Sequence, residues 1–227
     1  ILNMALSLDI VNILQFYTFL SPILISVFLL FQSVMKGNLK GIAWIIGSFV
    51  AWIVGMGFKS MFKKQDDALG PGEKRKWDRP DMKNSSYINI MAGATATGVP
   101  DYCKVFRGPF SSDTIELTSI PSLNAIFHAF TISYIAMGVG SNPTPSTEGI
   151  IFLIVIGILA IINCIFRVYH LCDNYIDVFV GAVLGTGLGV AWFFAINAVN
   201  PTWTYYNEED IKGKCVLGKQ KFKCTYD

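Results

Sequence analysis

Residues 167–181 read RVYHLCDNYIDVFVG and join two long apolar segments, residues 149–170 and 175–199. Each segment is long enough to cross roughly 30 Å of hydrocarbon as a helix. Ionisable side chains inside the hydrocarbon are costly unless they are paired or functional, so the ends of two membrane spans do not usually collect them. This stretch nevertheless contains an Arg, a His and two Asp residues. The sequence therefore concentrates polar chemistry at one membrane junction.

The composition of the chain is that of an integral membrane protein. Of its 227 residues 52% are apolar and 15% are charged, and the mean hydropathy is +0.47, which is too apolar for a soluble domain of this size. Because helices satisfy their own backbone hydrogen bonds inside a membrane, the apolar runs predict an all-α fold. We predict a bundle of about five transmembrane helices near residues 11–35, 39–58, 122–140, 149–170 and 175–199.

These crossings divide the chain into a transmembrane domain, residues 1–199, and an exposed C-terminal tail, residues 200–227. They place the N-terminus, a loop at 60–120 and the 167–181 junction on one side of the membrane, which we call the motif face. The loop is too long for a simple connector and is expected to fold over the motif face. In the tail, Cys215 and Cys224 could form a disulfide.

Two sequence signals disagree on whether the motif face is cytoplasmic or luminal. A basic cluster after the second span favours a cytoplasmic motif face by the positive-inside tendency, and its members are Lys59, Lys63, Lys64, Lys74, Arg75 and Lys76. The sequon Asn84-Ser85-Ser86 on the same face would be usable only if that face were luminal. Neither signal identifies the membrane.

Two patterns in the last span bear on packing. Gly181, Gly185 and Gly189 form a small-residue stripe, which favours close packing inside the bundle over a dimer seam. Aromatic residues near the end of the span suit a belt at the membrane interface, namely Trp192, Trp203, Tyr205 and Tyr206.

The spacing of Arg167, Asp173 and Asp177 resembles the last motif of the type-2 phosphatidic acid phosphatase family. In that motif five residues separate an Arg from a His, and three more separate the His from an Asp. The junction keeps this spacing, and Val178, Gly181 and Gly185 are also in register. Asp173, however, stands where the family has its phosphate-attacking His.

Two further family motifs have partial counterparts. Pro121-Ser122-Leu123-Asn124-Ala125 stands at the mouth of the third span, where the family has Pro-Ser-Gly-His-Ala, so Asn124 replaces the second His. Arg79-Pro80 matches the end of the first motif, but Gly72 occupies its Lys position. Lys59 is the candidate for that Lys, with Lys74 and Lys76 as rivals. The resemblance covers roughly residues 39–199, with one early helix of the family core missing.

The resemblance implies a site for lipid phosphates that needs neither a metal nor a cofactor, in which cations hold the phosphoryl group and two His residues perform the reaction. By position, the phosphate-binding residues would be Arg167, Arg79, Ser122 and Lys59, and Asp177 would orient the nucleophile. Both His positions are altered. Asn124 cannot protonate a leaving group, a step worth typically about 10²–10⁴-fold in rate. A carboxylate at Asp173 repels phosphate and offers the cations an internal partner.

The two His residues of the chain could restore catalysis from displaced positions. His128 lies one helical turn beyond Asn124, and His170 precedes Asp173 by three residues. The structural alternative is favoured for both, with His128 hydrogen-bonded inside the bundle and His170 capping helix-end carbonyls.

We therefore expect a catalytically inactive member of the resembled family that serves as a structural or scaffold subunit of a membrane assembly, with a residual site for anionic headgroups. The alternative is an active, metal-independent lipid phosphate or polyprenyl diphosphate phosphatase that uses a displaced His. Expected partners are membrane lipids and other membrane proteins. A net charge of +2 without a basic helical face gives no indication of nucleic acid. A transporter or channel is disfavoured because the spans carry almost no charged residues.

Overall fold

The computed structural model describes residues 10–67, 120–142, 145–169, 172–206, 214–217 and 222–225. They form five helices, numbered α1 (Ile10–Met35), α2 (Lys40–Asp67), α3 (Leu123–Gly140), α4 (Thr147–Tyr169) and α5 (Tyr175–Val199). A 3₁₀ turn, Pro201–Trp203, follows α5. In the tail, β1 (Lys214–Leu217) pairs antiparallel with β2 (Phe222–Thr225) and places Cys215 opposite Cys224.

Four of the described helices are long and apolar enough to cross a membrane. They are Lys40–Met61 of α2 and the whole of α3, α4 and α5. The prediction of an all-α membrane-spanning bundle is confirmed at this level. Within α1, Leu20–Met35 counts as a shorter apolar helix, so a fifth span stays a prediction.

The second helix is longer than the sequence predicted. It continues to Asp67, so its last turns extend past the predicted span, residues 39–58, into the start of the predicted 60–120 loop. Hydropathy falls where the hydrocarbon ends, but residues 58–67 read FKSMFKKQDD, and Lys, Met and Gln are good helix formers in water as well. The apolar pattern therefore indicates where the hydrophobic span ends rather than where the helix ends.

Helix α3 lies at the centre of the bundle. Half of its span is buried, against 33% for the α2 span and 22% for each of α4 and α5. Phe130 and Tyr134 of α3 pack in one core cluster with Trp44 of α2 and Phe193 of α5. Because lipid chains are as apolar as these side chains, close packing rather than escape from water stabilises such contacts.

The glycine stripe of α5 faces α3. A Cβ atom at Gly181 would lie 2.6 Å from the backbone oxygen of Ser122, and Cβ atoms at Gly185 and Gly189 would overlap backbone oxygens of α3. The absence of side chains lets the two backbones approach closely. This is the packing role that the sequence favoured over a dimer seam.

Residues 204–206, which we call the C-terminal cap, fold back onto the bundle at the side opposite the motif face. Tyr205 and Tyr206 are 4% and 8% exposed, and the Tyr205 hydroxyl donates to the Leu29 carbonyl at 2.6 Å. The Asn142 amide donates to the Tyr206 carbonyl, which holds Tyr206 in a left-handed conformation with φ of 57°. The prediction of an exposed tail is therefore wrong for these residues, and both tyrosines belong to the core rather than to an interfacial belt. The backbone of Tyr205 passes close to Gly138, since a Cβ atom there would overlap the Tyr205 carbonyl.

Candidate functional site

Three helix ends meet at the motif face: the start of α3, the end of α4 and the start of α5. The backbone N–H of Ser122 donates to the Asp177 carbonyl at 3.0 Å, which ties α3 to the first turn of α5. The N–H of Cys172 donates to the Arg167 carbonyl at 2.8 Å and closes the turn after α4. These bonds, with those of the Asp173 carboxylate, bring together Ser122, Arg167, Asp173 and Asp177, which we call the motif cluster.

Asp173 is the centre of the motif cluster. One of its carboxylate oxygens, Oδ2, accepts a bond from Arg167 Nε at 2.5 Å and another from the Ser122 hydroxyl at 2.9 Å. The Asp173 side chain is 7% exposed and that of Arg167 15%, so the ion pair is largely withdrawn from water. Two of the residues predicted to bind phosphate are thus engaged by a carboxylate of the protein itself.

Helix electrostatics favour each charge where it stands. Ser122 caps α3 by accepting a bond from the Ala125 N–H, so Asp173 lies at the positive end of the α3 dipole. Arg167 lies in the last turn of α4, where a cation is favourable. The local helix ends therefore compensate part of the cost of burying the pair.

Asp177 is fully buried in the first turn of α5. Its Oδ2 accepts a bond from the Asn174 N–H at 3.0 Å, which satisfies a backbone donor that the helix start leaves unpaired. The carboxylate thus fixes the point at which α5 begins, and a role in orienting a nucleophile stays a prediction.

Asn124 and His128 lie one turn apart on α3, below the motif cluster. His128 Nδ1 is 2.8 Å from the Asn124 carbonyl oxygen; because a carbonyl only accepts, Nδ1 carries the proton and Nε2 is an acceptor. His128 is 2% exposed, and no described residue bonds its Nε2 or the Asn124 Oδ1. The imidazole is hydrogen-bonded inside the bundle, as the structural alternative expected, and its Nε2 lone pair has no partner among the described residues.

Three predicted site residues are not brought into this cluster by any described contact. Lys59 lies on α2, half-buried near its motif-face end. Arg79 and His170 lie outside the described residues. Their predicted roles in phosphate binding and in catalysis therefore remain predictions.

Two residues near the cluster escaped the sequence reasoning. Asn163 is fully buried one turn before Arg167 on α4, and its amide donates to the Thr18 carbonyl at 3.0 Å and to the Ser21 hydroxyl at 2.6 Å on α1. An Asn inside an apolar run, four residues before an Arg, was the available signal. Cys172 is disulfide-bonded and lies next to Asp173 in the turn after α4.

The described site combines a cation, a hydroxyl and a carboxylate at the junction of three helix ends. Arg167 has five N–H donors, of which the described ion pair uses Nε. The described residues contain no group of three or more His, Cys, Asp or Glu side chains that could share a metal ion. No protein-family model, curated protein or solved structure matches the chain significantly. The family resemblance therefore rests on the motif residues alone.

Proposed function

We propose that this protein is a catalytically inactive relative of the type-2 phosphatidic acid phosphatases that serves as a structural or scaffold subunit of a membrane assembly. The observation that carries the proposal is the position of Asp173. Its carboxylate bonds both Arg167 and Ser122, two of the three described residues that are predicted to bind phosphate. A phosphate dianion would have to displace a buried carboxylate of the same charge, which is unfavourable in a site that excludes water.

The replaced acid supports the same conclusion. Asn124 stands where the leaving group would be protonated, and an amide has no proton to give at neutral pH. With both reactive groups altered, the remaining parts of the site are an Arg, a hydroxyl and three helix ends. Those parts stabilise the junction of α3, α4 and α5, which is the role we assign to them. A residual interaction with anionic headgroups would use the other N–H groups of Arg167, whose side chain is 15% exposed.

The test is phosphate release in detergent from phosphatidate and from a polyprenyl diphosphate. We expect no release by the natural chain and measurable release by the Asn124→His/Asp173→His double variant. The matched control is Asn124→Gln/Asp173→Asn, which removes the carboxylate without supplying a His and should stay silent. Release by the natural chain would contradict the proposal, and silence of the double-His variant would count against a phosphatase-derived pocket.

A second candidate function, an active phosphatase with a displaced His, is favoured by one observation. His128 shares a helix face with Asn124, and among the described residues nothing bonds its Nε2. Against it, His128 is almost fully buried, whereas a leaving alcohol departs at the surface. If this candidate is correct, His128→Asn and His128→Ala should both abolish phosphate release, and at least one should leave the melting temperature unchanged.

A further inference from the structure

Two of the elements that carry cysteines lie at opposite ends of the bundle. Cys172 lies at the motif face, in the turn between α4 and α5, where it is disulfide-bonded and only 2% exposed. Cys164 lies eight residues earlier, inside the α4 span, and its thiol is free. Cys215 and Cys224 belong to the β-hairpin that follows α5. The whole of α5 therefore separates the oxidised cysteine from the hairpin pair.

The length of α5 keeps the hairpin away from the motif face. Its 25 residues extend about 37 Å, more than the roughly 30 Å of hydrocarbon in a bilayer. Beyond its end, the C-terminal cap is held at the opposite side by the bond from Tyr205 to Leu29. The nine residues from Tyr206 to Cys215 reach at most about 32 Å. Cys215 cannot return to the motif face, and neither can Cys224, its strand neighbour.

A disulfide at Cys172 carries information about its compartment. Thiols are kept reduced in the cytosol, whereas organelle lumens, the periplasm and the cell exterior allow disulfides to persist. Both α4 and α5 are long and apolar enough to cross a membrane, so the turn between them and the residues after α5 face different compartments. The bridge at Cys172 therefore indicates an oxidising environment for the motif face. The hairpin is then on the reducing side, where Cys215 and Cys224 are kept as thiols.

The short turn between α1 and α2 gives independent support. It joins the two helices in a few residues and carries Lys36 and Lys40. It lies opposite the motif face, because the Trp192 indole near the end of α5 donates to the Ala43 carbonyl in the first turn of α2 at 3.0 Å. The positive-inside tendency holds for short loops, and the predicted 60–120 loop is at its upper limit of about 60 residues. The two Lys residues therefore favour a cytosolic location for the side opposite the motif face.

We infer that the motif face lies in an oxidising compartment, which is an organelle lumen, a periplasm or the cell exterior, and that the C-terminal tail lies in the cytosol. This orientation decides between the two sequence signals in favour of the sequon. Proteins that bind the motif face are then luminal or extracellular, and an anionic headgroup beside Arg167 belongs to the leaflet on that side. The inference uses cysteines and spans only, so it is independent of the proposed function.

Thiol labelling in sealed microsomes tests the orientation. The outer surface of these vesicles is cytosolic, and a charged maleimide does not cross their membrane. Two matched variants place a reporter thiol at an exposed position on each side. Ser141→Cys lies at the end of α3 opposite the motif face, and Tyr175→Cys lies at the start of α5. We expect Ser141→Cys to be labelled in intact vesicles and Tyr175→Cys only after detergent opens them.

The natural cysteines give a second readout, for which peptide mass spectrometry identifies each labelled residue. Cys215 and Cys224 should react in intact vesicles without a reductant. Cys172 should react only after both detergent and reductant are added. A Cys164→Ser variant is the control, because removing a free thiol inside the α4 span should leave both patterns unchanged.

Three results would contradict the inference. Labelling of Tyr175→Cys but not of Ser141→Cys in intact vesicles would place the motif face in the cytosol. Labelling of both reporters in intact vesicles would show that the chain inserts in both orientations. Reaction of Cys172 in intact vesicles without a reductant would show a free thiol on the cytosolic side.

Discussion

The two ends of this bundle are closed by different physical means. At the motif face, three helix ends are joined by a buried ion pair and by a hydroxyl, with Asp173 bonded to Arg167 and to Ser122. At the opposite end, the C-terminal cap closes the bundle with two aromatic rings and bonds to backbone carbonyls, such as that from Tyr205 to Leu29. The motif face is therefore held together mainly by charged groups, and the opposite end mainly by aromatic packing.

This difference predicts how each end fails. A buried ion pair is strongly destabilising when one partner is lost, because the other charge is left without compensation. An aromatic cap loses stability in smaller steps, since each hydrogen bond to a carbonyl contributes only about 0.5–1.5 kcal/mol. Substitutions at the motif face should therefore be more damaging than substitutions of similar size at the cap.

The largest effect is expected from Arg167→Ala. It leaves the Asp173 carboxylate buried without its cation, which should cost about 3–5 kcal/mol of unfolding free energy. Thermal unfolding in detergent measures the loss. The Arg167→Ala/Asp173→Ala double variant should be destabilised by clearly less than the sum of the two single variants. If the destabilisation of the double variant equals the sum of the two single variants, Arg167 and Asp173 are not coupled, and the motif face does not depend on their ion pair.

The next effect concerns the backbone approach that seats the C-terminal cap. Gly138→Ala places a methyl group against the Tyr205 carbonyl, and such overpacking typically costs about 1–3 kcal/mol. Gly140→Ala is the matched control two residues later, where a Cβ atom meets open space. We expect a lower melting temperature for the first variant and no loss for the second. Equal losses would mean that helix α3, rather than the cap, is sensitive to the change.

The sequence predicted what depends on local pattern. Apolar runs located the helices, the spacing of three glycines indicated close packing of the last span inside the bundle, and the charges of Arg167 and Asp173 indicated an ion pair at the junction. Each of these features is a short-range pattern within one element or across one turn. A single chain is sufficient to reveal it because the helical period fixes which side chains share a face.

The features that the sequence did not predict depend on distant partners. Tyr205 and Tyr206 follow a span, where tyrosines commonly lie at the membrane interface, and nothing local indicates that they fold back onto Leu29 and Gly138. Asn163 finds its acceptors on α1, more than 140 positions earlier in the chain. Neither contact leaves a periodic signature in the sequence.

A smaller effect is expected from removing one hydroxyl of the C-terminal cap. Tyr205→Phe deletes the donor to the Leu29 carbonyl and should cost about 0.5–1.5 kcal/mol. Tyr134→Phe is the internal comparison, because its hydroxyl reaches the Trp203 carbonyl only at 3.4 Å and so makes a weaker bond. Thermal unfolding should rank Tyr205→Phe below Tyr134→Phe in stability. The reverse order would assign the stability of the cap to ring packing instead of to the short hydrogen bond.

The smallest effect is a loss of folding stability just above pH 10, which we expect to arise from the tyrosines of the C-terminal cap. Burial raises the pKa of Tyr205 and of Tyr206 above the ordinary value, and their mutual proximity raises that of Tyr205 further. In the unfolded chain both phenols lose their protons near pH 10. Above about pH 10 the folded state retains protons that the unfolded state has released. The free energy of unfolding is therefore unaffected by these two phenols below about pH 10 and falls as the pH rises further.

Melting temperatures recorded from about pH 8 to pH 11 measure this decline. The Tyr205→Phe/Tyr206→Phe double variant should show a shallower decline than the natural chain, because it removes both groups that resist deprotonation. Tyr175→Phe, at an exposed position where α5 begins, should leave the decline unchanged. If the double variant declines as steeply as the natural chain, the alkaline sensitivity lies elsewhere. The pH dependence of the melting temperature would then not distinguish the C-terminal cap from the motif face.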